Sequence, residues 1–145
     1  MNMSPLNISL SSAVVHHWHC DHYGHMNTRH YAALFDDAIF LFWGRLGRDS
    51  HSTDKARIVP VTAEMKTGFI AEAQAGTIVA LNAQVIRVGS KSVSLRFEMT
   101  EPGANRLLAT CDVVEVFFDT HTRSSQPIPN PIRQQLQEVF TPLSA

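Results

Sequence analysis

The chain has 145 residues and a formal net charge of −1, and its basic residues are scattered along the sequence. This charge pattern provides no electropositive surface for following a nucleic-acid backbone, so we expect no nucleic-acid partner. The length is that of one domain, placed at residues 1–145, with a core large enough to fold.

The sequence does not indicate export or membrane insertion. Cys20 and Cys111, the only cysteines, are too few for a disulfide framework, which fits a reducing compartment. Residues 1–15 lack the basic start and long apolar segment of a signal peptide, and no later stretch is apolar over the length of a membrane span. We therefore expect a cytoplasmic protein without a membrane partner.

The first part of the chain predicts a strand that leads into a long helix. Residues 1–6 are expected to be a frayed tail, and residues 8–18 have the serine, valine and aromatic content of a strand. Residues 28–46 lack proline and are rich in helix formers, with Asn27 placed to cap the helix and Gly47 to end it. Apolar residues occupy most of its circumference, so we expect burial on several sides.

The rest of the chain predicts an antiparallel sheet. A polar loop at 48–55 is followed by predicted strands at 58–66, 77–88, 91–100 and 107–119, and a short helix is predicted near 132–140. Short turns at 89–90 and 102–105 make the last three strands a meander. A long apolar helix is best buried if a curved sheet wraps around it, so the predicted class is α+β with one central helix.

The segment Asp21-His22-Tyr23-Gly24-His25-Met26-Asn27 joins the first strand to the long helix. An Asp at this point lies near the positive end of the helix dipole and near N–H groups without intrahelical partners. Those N–H groups can hold a developing oxyanion while the carboxylate attacks or activates water. Because Asp is also a frequent N-cap residue, a catalytic and a structural role for Asp21 are both open.

This arrangement resembles a known enzyme family. A strand, Asp-x-x-Gly-His-x-Asn, a long helix with Tyr31, and four strands are similar to the hotdog-fold acyl-CoA thioesterases of the 4-hydroxybenzoyl-CoA thioesterase type. The turn at 88–92, the closing strand at 109–119 and the segment after it add to the resemblance, which covers nearly the whole chain. It implies the hotdog fold and hydrolysis of an acyl-CoA thioester to a free acid and coenzyme A without a cofactor.

The resemblance also implies roles for residues of the motif. Asp21 matches the catalytic carboxylate, a nucleophile or general base, and the backbone N–H of Thr28 matches the donor to the thioester carbonyl. His25 and Asn27 match residues that line the site and support its loop, although Asn27 is equally suited to a purely structural cap. The position after Asn27 is often a second Asn in close relatives, and Thr28 departs from that pattern.

The resemblance also implies substrate contacts on the motif loop, and it places the phosphate-bearing end of coenzyme A along the turn before and within the strand that starts at Lys91, with a basic residue after the last strand. The residues assigned to them are Tyr23, Gly24, Arg87, Lys91, Ser92 and Arg123. Lysine and arginine supply donors for phosphate oxygens, although each cation is equally suited to a solvated surface position. The acyl group could be framed by aromatic residues that are otherwise core: Trp18, Tyr23, Trp43 and Phe69.

Three alternatives are open. Glu64, on a predicted strand, could act as the base in place of Asp21. A zinc site could use the cluster of His16, His17, His19, Cys20, His22 and His25, but no separate second cluster completes a tetrahedron, so we expect no metal. A hotdog-fold hydratase or dehydratase, or a non-catalytic acyl-CoA binding protein, is also open, because a fold does not fix a reaction.

A lone sheet wrapped around one helix leaves an open edge and an exposed face. A homodimer with joined sheets is the expected remedy, and pairs of dimers would give a homotetramer. In the family that the chain resembles, the active sites lie at the dimer interface.

Overall fold

The structure is a computed structural model that describes residues 7–48 and 56–140. Its elements in chain order are β1 Ile8–Val14, α1 Thr28–Arg45, β2 Ile58–Phe69, β3 Ile78–Val88, β4 Ser92–Glu101, β5 Arg106–Asp119, β6 Ser124–Ser125 and α2 Asn130–Phe140. The predicted tail at 1–6 and most of the predicted loop at 48–55 lie outside the described residues.

The strands form one antiparallel sheet in the order β1-β3-β4-β5-β2, and β6 pairs with the end of β5. The predicted meander of β3, β4 and β5 is confirmed. A turn of 3-10 helix, Pro102–Ala104, joins β4 to β5, and Asn105 closes it with a left-handed φ of 48°. This order leaves β1 and β2 as the two edges of the sheet.

The curved sheet packs around α1, as predicted. Alternate residues of β3, β4 and β5 are buried, and they meet the helix residues Tyr31, Phe35, Ala38, Ile39, Phe42 and Trp43. Phe35 and Phe42 are fully buried, and each contributes about 1.5–3 kcal/mol relative to an exposed side chain. The prediction that α1 is buried on several sides is wrong within this chain, because Phe40 is 72% exposed and Leu41 40% exposed.

The boundaries of two strands differ from the prediction. β1 ends at Val14, and the remainder of the predicted strand enters a turn of 3-10 helix, His17–His19. There the backbone N–H of His16 donates to Nδ1 of His19 at 2.9 Å. Local hydrogen bonds of this kind replace the hydrogen bonds to a neighbouring strand that the residue composition predicted. β2 continues past Lys66 to Phe69, which carries the edge strand toward the start of α1.

The predicted C-terminal helix is confirmed as α2. Its residues Ile132 and Leu136 are buried in the core, and Arg133 donates to the carbonyl oxygens of Gly89 and Ser90 in the β3–β4 turn. Within the described part of the chain, neither helix has the length and apolar character needed to cross a membrane.

Candidate active site

A cavity of about 480 Å³ lies at the N-terminal end of α1. Its walls come from the motif loop, the first turn of α1 and the segment that follows β2: Asp21, Tyr23, His25, Met26, Thr28, Tyr31, Phe69, Ile70, Ala71 and Glu72. The structure therefore brings together on one cavity five residues predicted for the site, Asp21, Tyr23, His25, Thr28 and Phe69.

A tight turn fixes the carboxylate of Asp21 at the cavity wall. The Asp21 carbonyl accepts from the Gly24 N–H at 3.0 Å, and the Asp21 N–H donates to the His25 carbonyl at 3.0 Å. Oδ1 of Asp21 also accepts from the Tyr23 N–H at 2.9 Å. Gly24 has a φ of 83°, which a residue with a side chain rarely adopts, so it shapes this turn. It was predicted as a substrate contact, but it is not among the residues that line the cavity.

The start of α1 contributes Thr28 to the walls of the same cavity. Asn27 is the N-cap, as predicted for its structural role, and its Oδ1 accepts from the Arg29 N–H at 3.2 Å. No hydrogen bond within residues 7–48 and 56–140 uses the Thr28 N–H. An unused N–H at the positive end of a helix can bind a partial negative charge on an oxygen atom.

A contact that sequence reasoning missed joins the motif to the segment after β2. Nε2 of His25 lies 3.1 Å from Oε2 of Glu72, and Arg106 donates to the Glu72 backbone carbonyl at 3.0 Å. The Glu72 side chain is 73% exposed, so its main effect is on the orientation of the imidazole. No local pattern marks Glu72, because the contact depends on where β2 ends in space.

Two aromatic rings contribute to the apolar part of the cavity. Tyr31 is 4% exposed and meets Phe69 edge to face, with ring centroids 5.2 Å apart. Burial raises the pKa of Tyr31, so its hydroxyl stays protonated at neutral pH. Phe69 is 54% exposed and offers apolar surface at the mouth of the cavity.

Comparison with protein families decides where the chain belongs. The model of the thioesterase-like superfamily matches residues 14–136. The chain belongs to this superfamily. This membership confirms the resemblance read from the motif and the element order. Comparison with curated protein sequences gives no significant match.

Solved structures give the same fold for this member of the thioesterase-like superfamily. A hypothetical protein of Staphylococcus aureus, characterised in complex with CoA, has a TM-score of 0.86 at 20% identity, over 100% of this chain and 92% of that one. A 1,4-dihydroxy-2-naphthoyl-CoA thioesterase of Synechocystis has a TM-score of 0.79 at 14% identity, with 91% and 96% covered. The probable thioesterase YbaW of Escherichia coli has a TM-score of 0.76 at 18% identity, with 94% and 99% covered. The fold is therefore the hotdog fold.

The residues assigned to coenzyme A phosphates lie away from the cavity. Arg87, Lys91 and Ser92 flank the β3–β4 turn, where the Lys91 carbonyl accepts from the Phe117 N–H at 2.9 Å. That turn is at the opposite end of β3 from the cavity, a separation of roughly 30 Å along the strand. Arg123 is near the same end, with its guanidinium 5.0 Å from the ring centroid of Phe118.

Other candidates from the sequence also lie outside the walls of the cavity. Trp18 is 70% exposed, and Trp43 is buried in the core beneath the sheet. Glu64 is exposed in the middle of β2. Among residues 7–48 and 56–140, no three His, Cys, Asp or Glu side chains are placed to hold a metal ion, and the histidine cluster lies in that range.

Proposed function

We propose that this protein is an acyl-CoA thioesterase that hydrolyses a thioester to a free carboxylic acid and coenzyme A. The observation that carries the proposal is the placement of Asp21, His25 and the unused Thr28 N–H on one cavity. Membership of the thioesterase-like superfamily supports it. So do the fold neighbours, one characterised with CoA and one named as a naphthoyl-CoA thioesterase.

The proposed reaction needs one carboxylate and one backbone donor. The Thr28 N–H donates to the carbonyl oxygen, which becomes negative as the carbonyl carbon is attacked. Asp21 either attacks that carbon itself, giving an anhydride that water then cleaves, or removes a proton from the attacking water. The carbon–sulfur bond breaks and its electron pair leaves with the sulfur atom. The resulting thiolate is a good leaving group, because thiol pKa values are near 8.5. The reaction requires no metal or redox cofactor.

The surrounding groups have supporting roles in this proposal. His25, oriented by Glu72, lies beside the Asp21 turn, where it positions the carboxylate or the attacking water. Asn27 holds the helix start in place through its cap. Tyr31 and Phe69 contact the acyl group, and the other residues that line the cavity select which acyl group fits.

We also propose that a second copy completes the site. If two β2 edges pair antiparallel about a two-fold axis, the Ile58 end of one copy lies beside the Phe69 end of the other. Lys91 and Arg123 lie near the Ile58 end, since Ile58 pairs with Asp119 at the end of β5. A homodimer would therefore carry the coenzyme A phosphate contacts, Arg87, Lys91, Ser92 and Arg123, toward the partner's cavity.

The test is thiol release from a panel of short, medium, aromatic and cationic acyl-CoA esters. We expect Asp21→Asn to lower turnover of the best ester by about a thousandfold, within the range for removal of a general base, with an unchanged melting temperature. Glu64→Gln is the matched control, because it neutralises the competing carboxylate outside the cavity.

The outcomes separate the alternatives. Loss of turnover in Glu64→Gln with activity retained in Asp21→Asn would show that the wrong carboxylate was chosen. Absence of thiol release from every ester would contradict hydrolysis and favour a hydratase or a binding protein. Loss of activity on treatment with a chelator would favour a metal.

A further inference from the structure

The wall of the candidate active site is electronegative. Asp21 and Glu72 are its two carboxylates, and no lysine or arginine of residues 7–48 and 56–140 lines the cavity. Nε2 of His25, the remaining basic group on the wall, lies 3.1 Å from Oε2 of Glu72. With His25 neutral the wall carries two negative charges, and with His25 protonated it still carries one. The cavity therefore favours a positive charge in either state.

Arg106 lies next to this wall, but Glu101 neutralises it. Its Nη2 atom is 2.9 Å from Oε2 of Glu101, and it also donates to the backbone carbonyl of Glu72 at 3.0 Å. Arg106 is not among the residues that line the cavity. The Glu72 side chain is 73% exposed, so its carboxylate lies at the mouth of the cavity, where an entering substrate can contact it.

Aromatic rings accompany the Glu72 carboxylate at the mouth. Phe69 is 54% exposed and meets Tyr31 with ring centroids 5.2 Å apart, and Tyr23, 73% exposed, adds a third ring to the wall. Burial is the main cause of the raised pKa of Tyr31, and the charge of Glu72 adds to it, which places that carboxylate near the same rings. The face of an aromatic ring is negative and attracts a cation.

We propose that the cavity accepts an acyl group that ends in a quaternary ammonium group, held by the Glu72 carboxylate and by the rings of Phe69 and Tyr23. This inference rests on the proposed thioesterase function and adds the substrate class.

A quaternary ammonium group fits this wall better than other acyl termini do. Its charge is spread over methyl groups that can contact ring faces, whereas a primary ammonium group is strongly hydrated. A terminal carboxylate would meet Asp21 and Glu72 and be repelled. A neutral branched alkyl group has the same shape and gains the apolar contact with the rings, but it gains nothing from the carboxylates.

The experiment measures thiol release from three acyl-CoA esters that share one spacer and differ in terminal charge. These are 4-(trimethylammonio)butanoyl-CoA, its neutral carbon analogue 5,5-dimethylhexanoyl-CoA, and the anionic glutaryl-CoA. The spacer keeps the charge away from the carbonyl carbon, so the three thioesters have similar intrinsic reactivity. For wild type we expect kcat/KM to favour the cationic over the neutral ester by about tenfold, the combined effect of a cation–π contact and an exposed ion pair, with glutaryl-CoA the poorest.

Two variants test the wall and a third is the control. Glu72→Gln keeps the size of the side chain and removes its charge, and Phe69→Leu keeps an apolar side chain and removes the ring. Each should lower the ratio of cationic to neutral kcat/KM by about threefold. A ratio taken within one variant cancels a general loss of activity, such as misorientation of His25. Glu138→Gln, an exposed change on α2 outside the cavity, should keep the wild-type ratio.

Each outcome decides the inference. Equal or faster turnover of the neutral ester by wild type would overturn it while the proposed function stands, and this result needs no variant to fold. A preference for the cationic ester that Glu72→Gln and Phe69→Leu both keep would also overturn it. If wild type releases thiol from no ester, the proposed function fails, and calorimetric titration with the three intact esters then tests the cavity. Tighter binding of the cationic ester that Glu72→Gln weakens would keep the site without the reaction, and equal binding of the three esters would remove both.

Discussion

Two buried carboxyl groups on β5 have opposite electrostatic environments. Glu115 is 2% exposed, and its Oε1 accepts from the Trp43 indole N–H at 2.9 Å. Its Oε2 has no partner in the described part of the chain, and burial raises the pKa of this carboxyl. Asp119 is 4% exposed, and Arg57 donates to both of its oxygens, which together with the His121 N–H lowers its pKa to about 2.

The raised pKa of Glu115 predicts that this residue weakens the fold at neutral pH. Because the folded-state pKa lies above the ordinary value of 4.5, its stabilising contribution is full below pH 4.5 and is lost as the pH rises through the folded pKa. Glu115→Gln keeps an acceptor for Trp43 and cannot ionise, so we expect it to gain roughly 1–3 kcal/mol at pH 8. Thermal unfolding from pH 4 to 8 is the measurement. A variant less stable than wild type throughout that range would contradict the prediction.

Asp119 predicts the opposite pH dependence. Its folded-state pKa of about 2 lies below the ordinary 3.8, so its contribution is full above pH 3.8 and is lost as the pH falls through 2. Asp119→Asn should therefore lower the Tm at pH 7, with the difference shrinking toward pH 2. Asp112→Asn is the control, because the Asp112 side chain also binds an arginine but is 45% exposed, against 6% for Asp119. An equal decrease in Tm at pH 7 in the two variants would show that burial of the carboxylate does not determine how much its ion pair stabilises the fold.

At the scale of the element, the sequence predicted what local patterns determine. The bounds of α1, the meander of β3 to β5 and the Asn27 cap follow from periodicity, turn residues and side chains next to them in sequence. The end of β1 was misplaced, because the strand-forming content of the residues after Val14 is overridden by local bonds of the histidine side chains. Glu72 was missed because β2 brings it to His25 only in three dimensions.

Substitutions of the N-cap residue Asn27 can distinguish a structural role of its side chain from a chemical one. Its side chain accepts from the Arg29 N–H at 3.2 Å, so Asn27→Ala should lower stability by about 1 kcal/mol. Asn27→Ser, which can also cap the helix, should have both the stability and the thiol release of wild type. Chemical denaturation and kcat/KM measured on the three proteins test this. Restored stability without restored turnover would instead give the amide a direct role in the chemistry.

At the scale of the whole molecule, the sequence suggested residues for the site but could not show which of them lie together in space. The motif residues share a cavity because they are neighbours along the chain, whereas the proposed phosphate contacts lie at the other end of the sheet. Whether these two ends meet depends on a second copy. The exposure of Phe40 and Leu41 on α1 was not predicted for a similar reason. An apolar pattern does not distinguish burial within one chain from burial between chains.

The β2 edge is the surface proposed to join two copies, and it can be tested against the β1 edge. Val61 and Met65 on β2 are 39% and 40% exposed, and pairing about a two-fold axis near the middle of β2 would place them close to their own copies. The double variant Val61→Lys, Met65→Lys would then bring like charges together, which disfavours pairing. By sedimentation we expect wild type at twice the 16.1 kDa chain mass, or four times if dimers pair, and the double variant at the mass of one chain. Val14→Lys, on the β1 edge, should remain paired. Dissociation of Val14→Lys alone would assign the interface to β1, and the phosphate contacts could not then come from a partner joined at β2.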